Sequence, residues 1–448
     1  MGAGMSSIAP EDSPPCDLAV RAGRAPPLPD VATTGQGGGA RGGDRPPPGR
    51  GGVLEVFLVF LRLGLTAFGG PAAHIGYFHA AFVQRRRWLS EADFAALIAL
   101  CQFLPGPGSS QAGFAIGVQR TGGIGGGIAA FLGFTTPSAI ILTTLAMALT
   151  SDAGALQNPL AAGMLHGLKL TAVAVVAHAV WGMARLLTPD RARATIALAA
   201  LAIVTPGGVA AQLLAIGAGG LLGLAACRNV VTDGGPAAGR GPVSRRAGAV
   251  ALAVFAGLFL LLPVAAGLWG GGFSLVSAFY RAGSLVFGGG HVVLPLLQAE
   301  VAAPAGIAPD AFLTGYALAQ AMPGPMFAFA AWLGALMPSQ PSGALGATLA
   351  VLAIFLPGQL LVYGTLPFWV RLRANPRAAA AMAGANAAVV GILGAALYQP
   401  LWTSAVFTPR DFVLVVAGFL LLTVWKAPPW SIAALGAASG ALLAIAPV

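Results

Sequence analysis

Two arginines lie inside apolar stretches, at the same position of a motif that occurs twice. Arg62 belongs to FLRLGLTAFGGP at residues 60–71, and Arg281 belongs to FYRAGSLVFGGG at residues 279–290. A charged side chain within a bilayer is costly and is by default a functional candidate. Its planar guanidinium group binds two oxygens of a tetrahedral oxyanion at once. Because acidic residues are almost absent from the apolar stretches, we expect both guanidinium groups to be free for an anion.

The alternative role of these arginines is structural. Each could extend its long side chain to the membrane surface, or pair with a glutamate such as Glu55. The recurrence at one motif position favours the functional interpretation. We therefore interpret Arg62 and Arg281 as substrate-binding residues.

Glycine and proline residues follow each arginine and predict breaks in the helices. A half-helix that begins after a break presents unpaired backbone N–H groups and the positive end of its dipole. Ordinary kinks are the alternative, since both residues are common in membrane helices, but matched pairs favour anion binding. Gln102 and Gln320, which precede the two Pro-Gly-Pro segments, could add amide donors or cap the broken helices. The predicted substrate-binding residues are Gly69, Gly70, Gln102, Pro105, Gly106 and Pro107 in the first copy, and Gly288, Gly289, Gln320, Pro323, Gly324 and Pro325 in the second.

Four further polar residues lie near these breaks or within later apolar runs. Lys169 is isolated among apolar residues, and Asn386 is its approximate counterpart in the second copy. Both could line an anion cavity, and a desolvated lysine could change protonation; a lysine at a helix end is the alternative. His74 and His291 follow glycine breaks at non-equivalent positions. They are candidates for proton coupling, with hydrogen-bonded interior histidines as the alternative.

The composition is that of a helical membrane protein. Of the 448 residues, 57% are hydrophobic and 8% are charged, and the mean hydropathy is +0.81, whereas soluble proteins carry about 25% charged residues. Apolar runs of about 20 residues recur, the length that spans a bilayer as helix. The alternating pattern of a transmembrane barrel is absent. The net charge of +10 is concentrated in short loops, which indicates the positive-inside pattern and not a nucleic-acid surface.

Several classes of site are not indicated. The three cysteines, Cys16, Cys101 and Cys227, have no metal-ligand spacing. There is no Gly-x-x-x-x-Gly-Lys phosphate loop, and no acid–base or nucleophile constellation is apparent. We therefore expect neither an enzyme nor ATP-driven transport, and no cofactor or metal.

The chain contains two copies of one unit. Arg62 and Arg281 are 219 residues apart, and the surrounding glycines and prolines match at that offset or within one residue. Such self-similarity indicates a duplicated fold. The predicted organisation is a disordered Pro-, Gly- and Arg-rich tail at 1–52, a first transporter repeat at 53–226, a cytoplasmic linker at 227–246, an extra transmembrane span at 247–272 and a second repeat at 273–448.

The charge distribution predicts that the repeats are inverted. If each broken stretch is a re-entrant hairpin, Arg85 to Arg87, Arg120 and the linker arginines all lie on the cytoplasmic side. The extra span then brings the second repeat to the other side, where residues 298–342 contain no Lys or Arg, and Arg410 is the one exception. The expected fold is an all-α polytopic membrane protein with two homologous inverted-topology repeats, broken or re-entrant helices and a midplane binding site.

With these features the chain resembles the chromate transporter family in its long-chain, two-domain form. The resemblance is carried by FGGPAAHIGYF at 68–78, FLPGPGSSQ at 103–111, FGGGHVVLP at 287–295 and AMPGPMF at 321–327, and covers about residues 53–446. It implies a multi-pass secondary transporter of the bacterial inner membrane that expels chromate and confers chromate resistance. Its partners would be the chromate anion and the lipid bilayer, and a homodimer is left open. Sulfate has the same charge and shape, so a carrier of sulfate or another oxyanion, or an anion channel, is the alternative.

Overall fold

The computed structural model describes residues 51–68, 70–151, 159–205, 209–227, 243–286, 293–339, 341–369 and 375–445. The predictions for the N-terminal tail and for most of the linker lie outside the described residues. The same holds for Gly69, Gly288, Gly289 and His291.

The secondary structure of the described residues is helical, and no strand occurs among them. A π-helical segment, His79–Arg85, continues the second helix. The helices of the first half are α1 Val53–Thr66, α2 Gly70–Phe78, α3 Glu91–Phe103, α4 Gly108–Thr121, α5 Ile124–Ser151, α6 Pro159–Leu187, α7 Arg191–Val204 and α8 Val209–Ala226.

The second half repeats this order after one additional helix. A π-helical segment, Gln298–Ala302, again continues the first short helix that follows the break, and a 3-10 turn, Met326–Ala328, precedes α13. The helices are α9 Arg245–Trp269, α10 Gly271–Ser284, α11 Val293–Leu297, α12 Pro309–Ala321, α13 Phe329–Ala335, α14 Gly343–Thr365, α15 Pro376–Ala396, α16 Pro409–Thr423 and α17 Pro429–Ile445.

In the first repeat, two broken stretches enter the membrane and return to the same side. The N–H of Gly51, before α1, donates a hydrogen bond to the carbonyl of Arg120 at the end of α4 (3.1 Å). The Arg120 guanidinium lies 4.9 Å from the centre of the Trp88 ring, which follows α2, and 3.1 Å from Glu55. The start of α1, the loop between α2 and α3 and the end of α4 therefore share one side, here called the arginine side. Helices α1–α2 and α3–α4 are two re-entrant hairpins, as the charge pattern predicted.

The second repeat has the opposite orientation. Helix α5 starts on the arginine side, and its Phe131 ring lies 5.2 Å from Phe355 of α14. Further along α14, Tyr363 approaches Phe114 of α4 (6.5 Å), so α14 ends near the arginine side, where α5 begins. A Cβ on Gly272 at the start of α10 would lie 3.7 Å from the Pro341 ring, which places the ends of that repeat's hairpins together on the other side. The inverted repeats predicted from the sequence are confirmed.

Aromatic side chains pack the first hairpin against α5. Phe60 of α1 stacks on Phe82 with 5.0 Å between ring centres and meets Phe78 edge-on at 5.6 Å. Phe134 of α5 lies 5.4 Å from Phe78. Aromatic pairs of this kind add about 0.5–1.5 kcal/mol each beyond their burial. The packing fixes both arms of the hairpin and therefore positions the break between them.

The later helices exchange partners between the repeats. Helix α6 packs along α17, where a Cβ on Gly167 would overlap the backbone of Gly436. Its counterpart α15 packs along α8, where a Cβ on Gly223 would lie 2.8 Å from the Cα of Gly384. Small residues at such contacts let helix backbones approach closely. Because each repeat completes the other, the two halves form one intertwined unit.

Helix α9 has no counterpart in the first repeat. A Cβ on Gly248 near its start would meet the Gly364 carbonyl of α14 at 2.8 Å, and Trp269 at its end lies 5.2 Å from Phe273 of α10. It therefore runs from the arginine side to the other side. Among the described residues, five helices are long and apolar enough to cross a membrane: Ile124–Leu149, Ala162–Leu187, Arg245–Trp269, Gly343–Phe368 and Pro376–Gln399.

Candidate functional site

The breaks of the two repeats meet and exchange hydrogen bonds. The N–H of Gly106, in the first Pro-Gly-Pro turn, donates to the carbonyl of Val286, before the second Phe-Gly-Gly (2.6 Å). The N–H of Gly324, in the second turn, donates to the carbonyl of Ala67, before the first Phe-Gly-Gly (3.0 Å). Ala67 is equivalent to Val286, as Gly106 is to Gly324, so a pseudo-two-fold axis relates the two bonds. We call this region, residues 67, 68, 70, 104–108, 284–286 and 322–326, the break junction.

Only glycine fits at the centre of each Pro-Gly-Pro turn. The φ angles of Gly106 and Gly324 are +123° and +102°, a region that other residues rarely adopt. A Cβ on Gly106 would lie 2.8 Å from Nε2 of Gln111 and 3.0 Å from the Cα of Gly358. A Cβ on Gly324 would lie 2.8 Å from Oγ of Ser138. Both turns are therefore packed so closely against neighbouring residues that no room is left for a Cβ.

Each turn packs against the proline-bearing helix of the other repeat. Pro137 lies inside α5 and Pro357 inside α14, and an internal proline removes one helical hydrogen bond and favours a kink. Ser138 and Gly358, which follow these prolines, are the residues that face Gly324 and Gly106 respectively. The break junction thus brings four broken stretches and two proline-bearing helices together.

The backbone donors expected at the Pro-Gly-Pro turns are not free in this structure. Proline carries no N–H, so neither proline of a turn can donate. The N–H groups of Gly106 and Gly324 are occupied by carbonyls of the opposite repeat. This corrects the expectation that the turns themselves present donors, because the inverted copies satisfy each other there. Substrate binding by these segments stays a prediction.

The helix that follows the first turn begins with polar side chains. Ser109, Ser110 and Gln111 of α4 are 5%, 4% and 0% exposed. The Gln111 amide nitrogen donates to the carbonyls of Pro105 (2.8 Å) and Gly358 (3.1 Å), and so ties the turn to α14 of the second repeat. Within the described residues, the hydroxyl of Ser110 and Oε1 of Gln111 have no hydrogen-bond partner.

His74 of α2 connects this polar group to the first break. Its Nε2 lies 3.2 Å from the carbonyl of Ala67, and its Nδ1 lies 3.3 Å from Oγ of Ser109. Because a carbonyl only accepts, Nε2 carries the proton, and in the neutral ring Nδ1 accepts from the Ser109 hydroxyl. The ring is fully buried and lies edge-on to Phe134 at 5.1 Å. These contacts suit the hydrogen-bonded interior histidine, and proton coupling by His74 stays a prediction.

Arg281 is paired, contrary to the expectation of a free guanidinium. Its Nη2 lies 3.0 Å from Oε1 of Glu300, whose side chain is 7% exposed. The π-helical return arm of the hairpin places this carboxylate alongside α10. The sequence alone does not show that Arg281 and Glu300 are neighbours. An anion that binds Arg281 must therefore compete with Glu300.

Arg62 lies on a different kind of surface. It is exposed, on the same face of α1 as Leu58 and Leu65, whereas Phe60 and Gly64 face the protein. In the described parts of the chain its guanidinium makes no ion pair, and Glu55 pairs with Arg120 instead. Its role in binding an anion remains a prediction, as does the convergence of both arginines on one anion.

The remaining predicted residues lie in several different environments. Nζ of Lys169 lies 2.6 Å from Oδ1 of Asp310, so this lysine is not a free cation in this structure. The Gln320 amide donates to the Tyr316 hydroxyl (2.6 Å), while Gln102 is exposed at the end of α3. Oδ1 of Asn386 is buried without a hydrogen-bond partner among the described residues. Gly70 begins α2 with φ of +76° and open space around it.

Sequence reasoning missed two groups at this site. It did not single out Ser109, Ser110 and Gln111. The signal was present, because the first Pro-Gly-Pro turn is followed by four polar or small residues and the second by four apolar ones. It also missed Glu300, whose approach to Arg281 depends on how the hairpin folds back. No group of His, Cys, Asp or Glu that could hold a metal ion occurs among the described residues.

Comparisons with known proteins agree with this architecture. A family model described as chromate transporter matches residues 54–224 and, separately, residues 273–441. The chain is 28% identical over 388 residues to the chromate transport protein of Pseudomonas aeruginosa, covering 83% of this chain and 87% of that protein. It is 28% identical over 378 residues to a probable chromate transport protein of Synechococcus elongatus, covering 84% and 90%, and 26% identical over 379 residues to a chromate transport protein of Cupriavidus metallidurans, covering 84% and 89%. No solved structure matches the chain.

Proposed function

This chain belongs to the chromate transporter family, and from that premise we propose that it is a secondary carrier that expels chromate across the bacterial inner membrane and so confers chromate resistance. The observation that carries the proposal is the break junction between inverted repeats, held by the bonds from Gly106 to Val286 and from Gly324 to Ala67. Non-helical backbone at membrane depth is tolerated where it is buried in protein or lines a cavity. Inverted repeats with broken helices are typical of carriers whose substrate binds at the midplane.

Alternating access would arise from movement of one repeat against the other about the break junction. The two inter-repeat hydrogen bonds are related by the pseudo-two-fold axis. A movement of the first repeat in one direction would therefore weaken one of these bonds, and the opposite movement would weaken the other. Outward movement of an anion is favoured by an inside-negative potential, by about 2.3 kcal/mol per charge per 100 mV. No phosphate-bond energy is needed.

We assign the anion contacts to half-helix N-termini and to the intramembrane arginines Arg62 and Arg281. Chromate is a doubly charged tetrahedral oxyanion, which suits a guanidinium fork and oriented backbone N–H groups. In the described conformation Arg281 is occupied by Glu300, so it would serve the anion in another state of the cycle. Arg62 has no such competitor among the described residues.

Flux measurements on the purified full-length chain in proteoliposomes test this proposal. We expect chromate flux that saturates with concentration and follows an imposed membrane potential. Strong competition by sulfate, with faster sulfate flux, would identify the sulfate carrier instead. Flux that does not saturate would identify an anion channel. Chromate flux no greater than in protein-free liposomes would overturn the proposal.

A further inference from the structure

The half-helices that follow the two Pro-Gly-Pro turns differ in chemistry, although the repeats share a fold. Phe327 and Phe329 are 2% and 0% exposed, and their rings lie 5.8 Å from Phe355 and 6.0 Å from Tyr316. The second turn is therefore followed by a filled apolar volume, whereas the first is followed by buried polar groups. The compared segments are Gly108, Ser109, Ser110 and Gln111 after the first turn, and Met326, Phe327, Ala328 and Phe329 after the second.

The first turn of α4 carries backbone donors without helical acceptors. The N–H of Gln111 reaches the carbonyl of Pro107 at 2.9 Å and is the first amide of the helix to find a partner one turn back. The amides of Gly108, Ser109 and Ser110 come before it and have no carbonyl available within the helix. Pro107 stands at the capping position and supplies no side-chain acceptor. The positive end of the helix dipole lies at the same place.

An independent observation at this helix end is the hydroxyl of Ser110. The residue is 4% exposed, and its Oγ has no hydrogen-bond partner among the described residues. Buried hydroxyl groups are nearly always hydrogen-bonded, so an isolated one indicates a missing partner. The adjacent Ser109 hydroxyl is engaged with Nδ1 of His74, which leaves Ser110 as the hydroxyl that a ligand can use.

We propose that the first turn of α4 is the oxyanion site of this carrier, that Ser110 donates its hydroxyl to the anion, and that the second repeat has no equivalent site. The ligand class is a tetrahedral oxyanion, because three amides, one hydroxyl and a helix N-terminus together form a set of donors. The Gln111 amide is held by two carbonyls, so Gln111 fixes the wall of the site and does not bind the ligand. This inference rests on the proposed function.

The asymmetry has a consequence for the transport cycle. If both turns bound anions, the pseudo-two-fold axis would place two negatively charged ligands at equal distances from the bilayer midplane. With Phe327 and Phe329 filling the second position, one anion occupies the junction at a time.

The test is the effect of Ser110→Ala on chromate transport by the full-length chain in proteoliposomes. Loss of a hydrogen bond to a charged ligand is expected to raise the KM for chromate about tenfold or more. Chromate should also raise the thermal unfolding midpoint of the detergent-solubilised wild type by mass action, and raise that of Ser110→Ala much less. The midpoint without chromate should be unchanged or higher, since the substitution removes a buried hydroxyl that has no partner.

The matched control is Ala328→Ser, which places a hydroxyl at the equivalent position of the second repeat. We expect its KM and its chromate-induced stabilisation to equal those of the wild type. An unchanged KM and unchanged stabilisation in Ser110→Ala, with wild-type transport intact, would overturn the site while leaving the proposed function standing. A lower KM in Ala328→Ser would overturn the claim of a single site. Absence of chromate transport by the wild type would instead refute the proposed function.

Discussion

Arg281 and Glu300 form an ion pair, with 3.0 Å between Nη2 and Oε1, that joins the entering arm of a re-entrant hairpin to its returning arm. The spacing that relates Arg62 to Arg281 makes Ala81 the counterpart of Glu300 in the first repeat. The two intramembrane arginines are therefore not equivalent: one has an internal carboxylate and the other has none at the matching position. Glu300 is an internal competitor for any anion at Arg281.

Arg281→Ala is expected to lower stability as well as transport. Removing one partner of a buried ion pair leaves an uncompensated charge, and Glu300 is 7% exposed. We expect a loss of about 1–3 kcal/mol, discounted from the fully buried case because the arginine side chain is 32% exposed. The thermal unfolding midpoint in detergent measures it.

The double substitution Arg281→Ala with Glu300→Ala separates the two roles of Arg281. It removes the unpaired carboxylate and should restore most of the unfolding midpoint. If Arg281 binds the anion, chromate transport stays low in this variant despite the recovered stability. Recovery of transport together with stability would show that the arginine is only structural.

Arg62→Ala is expected to reduce chromate transport without reducing stability. The side chain is exposed and makes no ion pair among the described residues, so its removal leaves no unpaired partner. Arg62→Lys should keep part of the transport activity, because lysine retains the charge but lacks the planar fork. Vesicle flux at matched protein level measures both variants. Wild-type flux in Arg62→Ala would assign the residue to membrane anchoring.

Gly106→Ala and Gly324→Ala are expected to disrupt the break junction. Each adds backbone strain at a φ that alanine rarely adopts, and each places a Cβ 2.8 Å from a neighbouring side-chain atom. We expect a loss of at least about 2 kcal/mol with loss of transport. Gly306→Ala is the control, since Gly306 has φ of +68° but open space around it. Equal loss in all three variants would mean that backbone strain, not packing at the junction, is responsible.

Membrane sidedness follows from the inverted hairpins. In a background without the native cysteines, a cysteine at exposed Gln84 and another at exposed Ser339 should react from opposite sides. A membrane-impermeant thiol reagent should label Ser339→Cys in intact cells, and Gln84→Cys only after permeabilisation, because the positive-inside rule predicts that the arginine side is cytoplasmic. Labelling of both positions from the same side would refute the re-entrant arrangement.

The broken helices, the duplication and the inversion were predictable because each leaves a mark on the linear sequence. Glycine and proline interrupt the apolar runs. Only re-entrant hairpins place Arg85 to Arg87 and Arg120 on the same side of the membrane. The family resemblance was likewise carried by these motifs and is confirmed by the two matched regions. These features can be read from the order of residues along the chain, so no knowledge of distant contacts was needed.

The pairings at the site were not predictable, because they join segments distant in sequence. The bond from Gly106 to Val286 and the ion pair of Lys169 with Asp310 each depend on how separate hairpins and helices pack. A count of charges treated Arg281 as free, since Glu300 lies beyond the break and reaches it only after the chain reverses. The two motifs are so similar that the difference between Ser110 and its counterpart Ala328 was overlooked. This difference bears on anion binding only once the two turns are known to meet at the break junction.

Chromate accumulation in cells with and without this chain is the direct test of chromate efflux. Cells of a chromate-sensitive strain would be loaded with radiolabelled chromate in sulfate-replete medium, and the retained label followed over time. If the chain expels chromate, we expect a lower steady-state label and faster loss of label in cells that express it, and both effects should vanish when the membrane potential is dissipated. Equal or higher accumulation in expressing cells, at verified protein level, would contradict it.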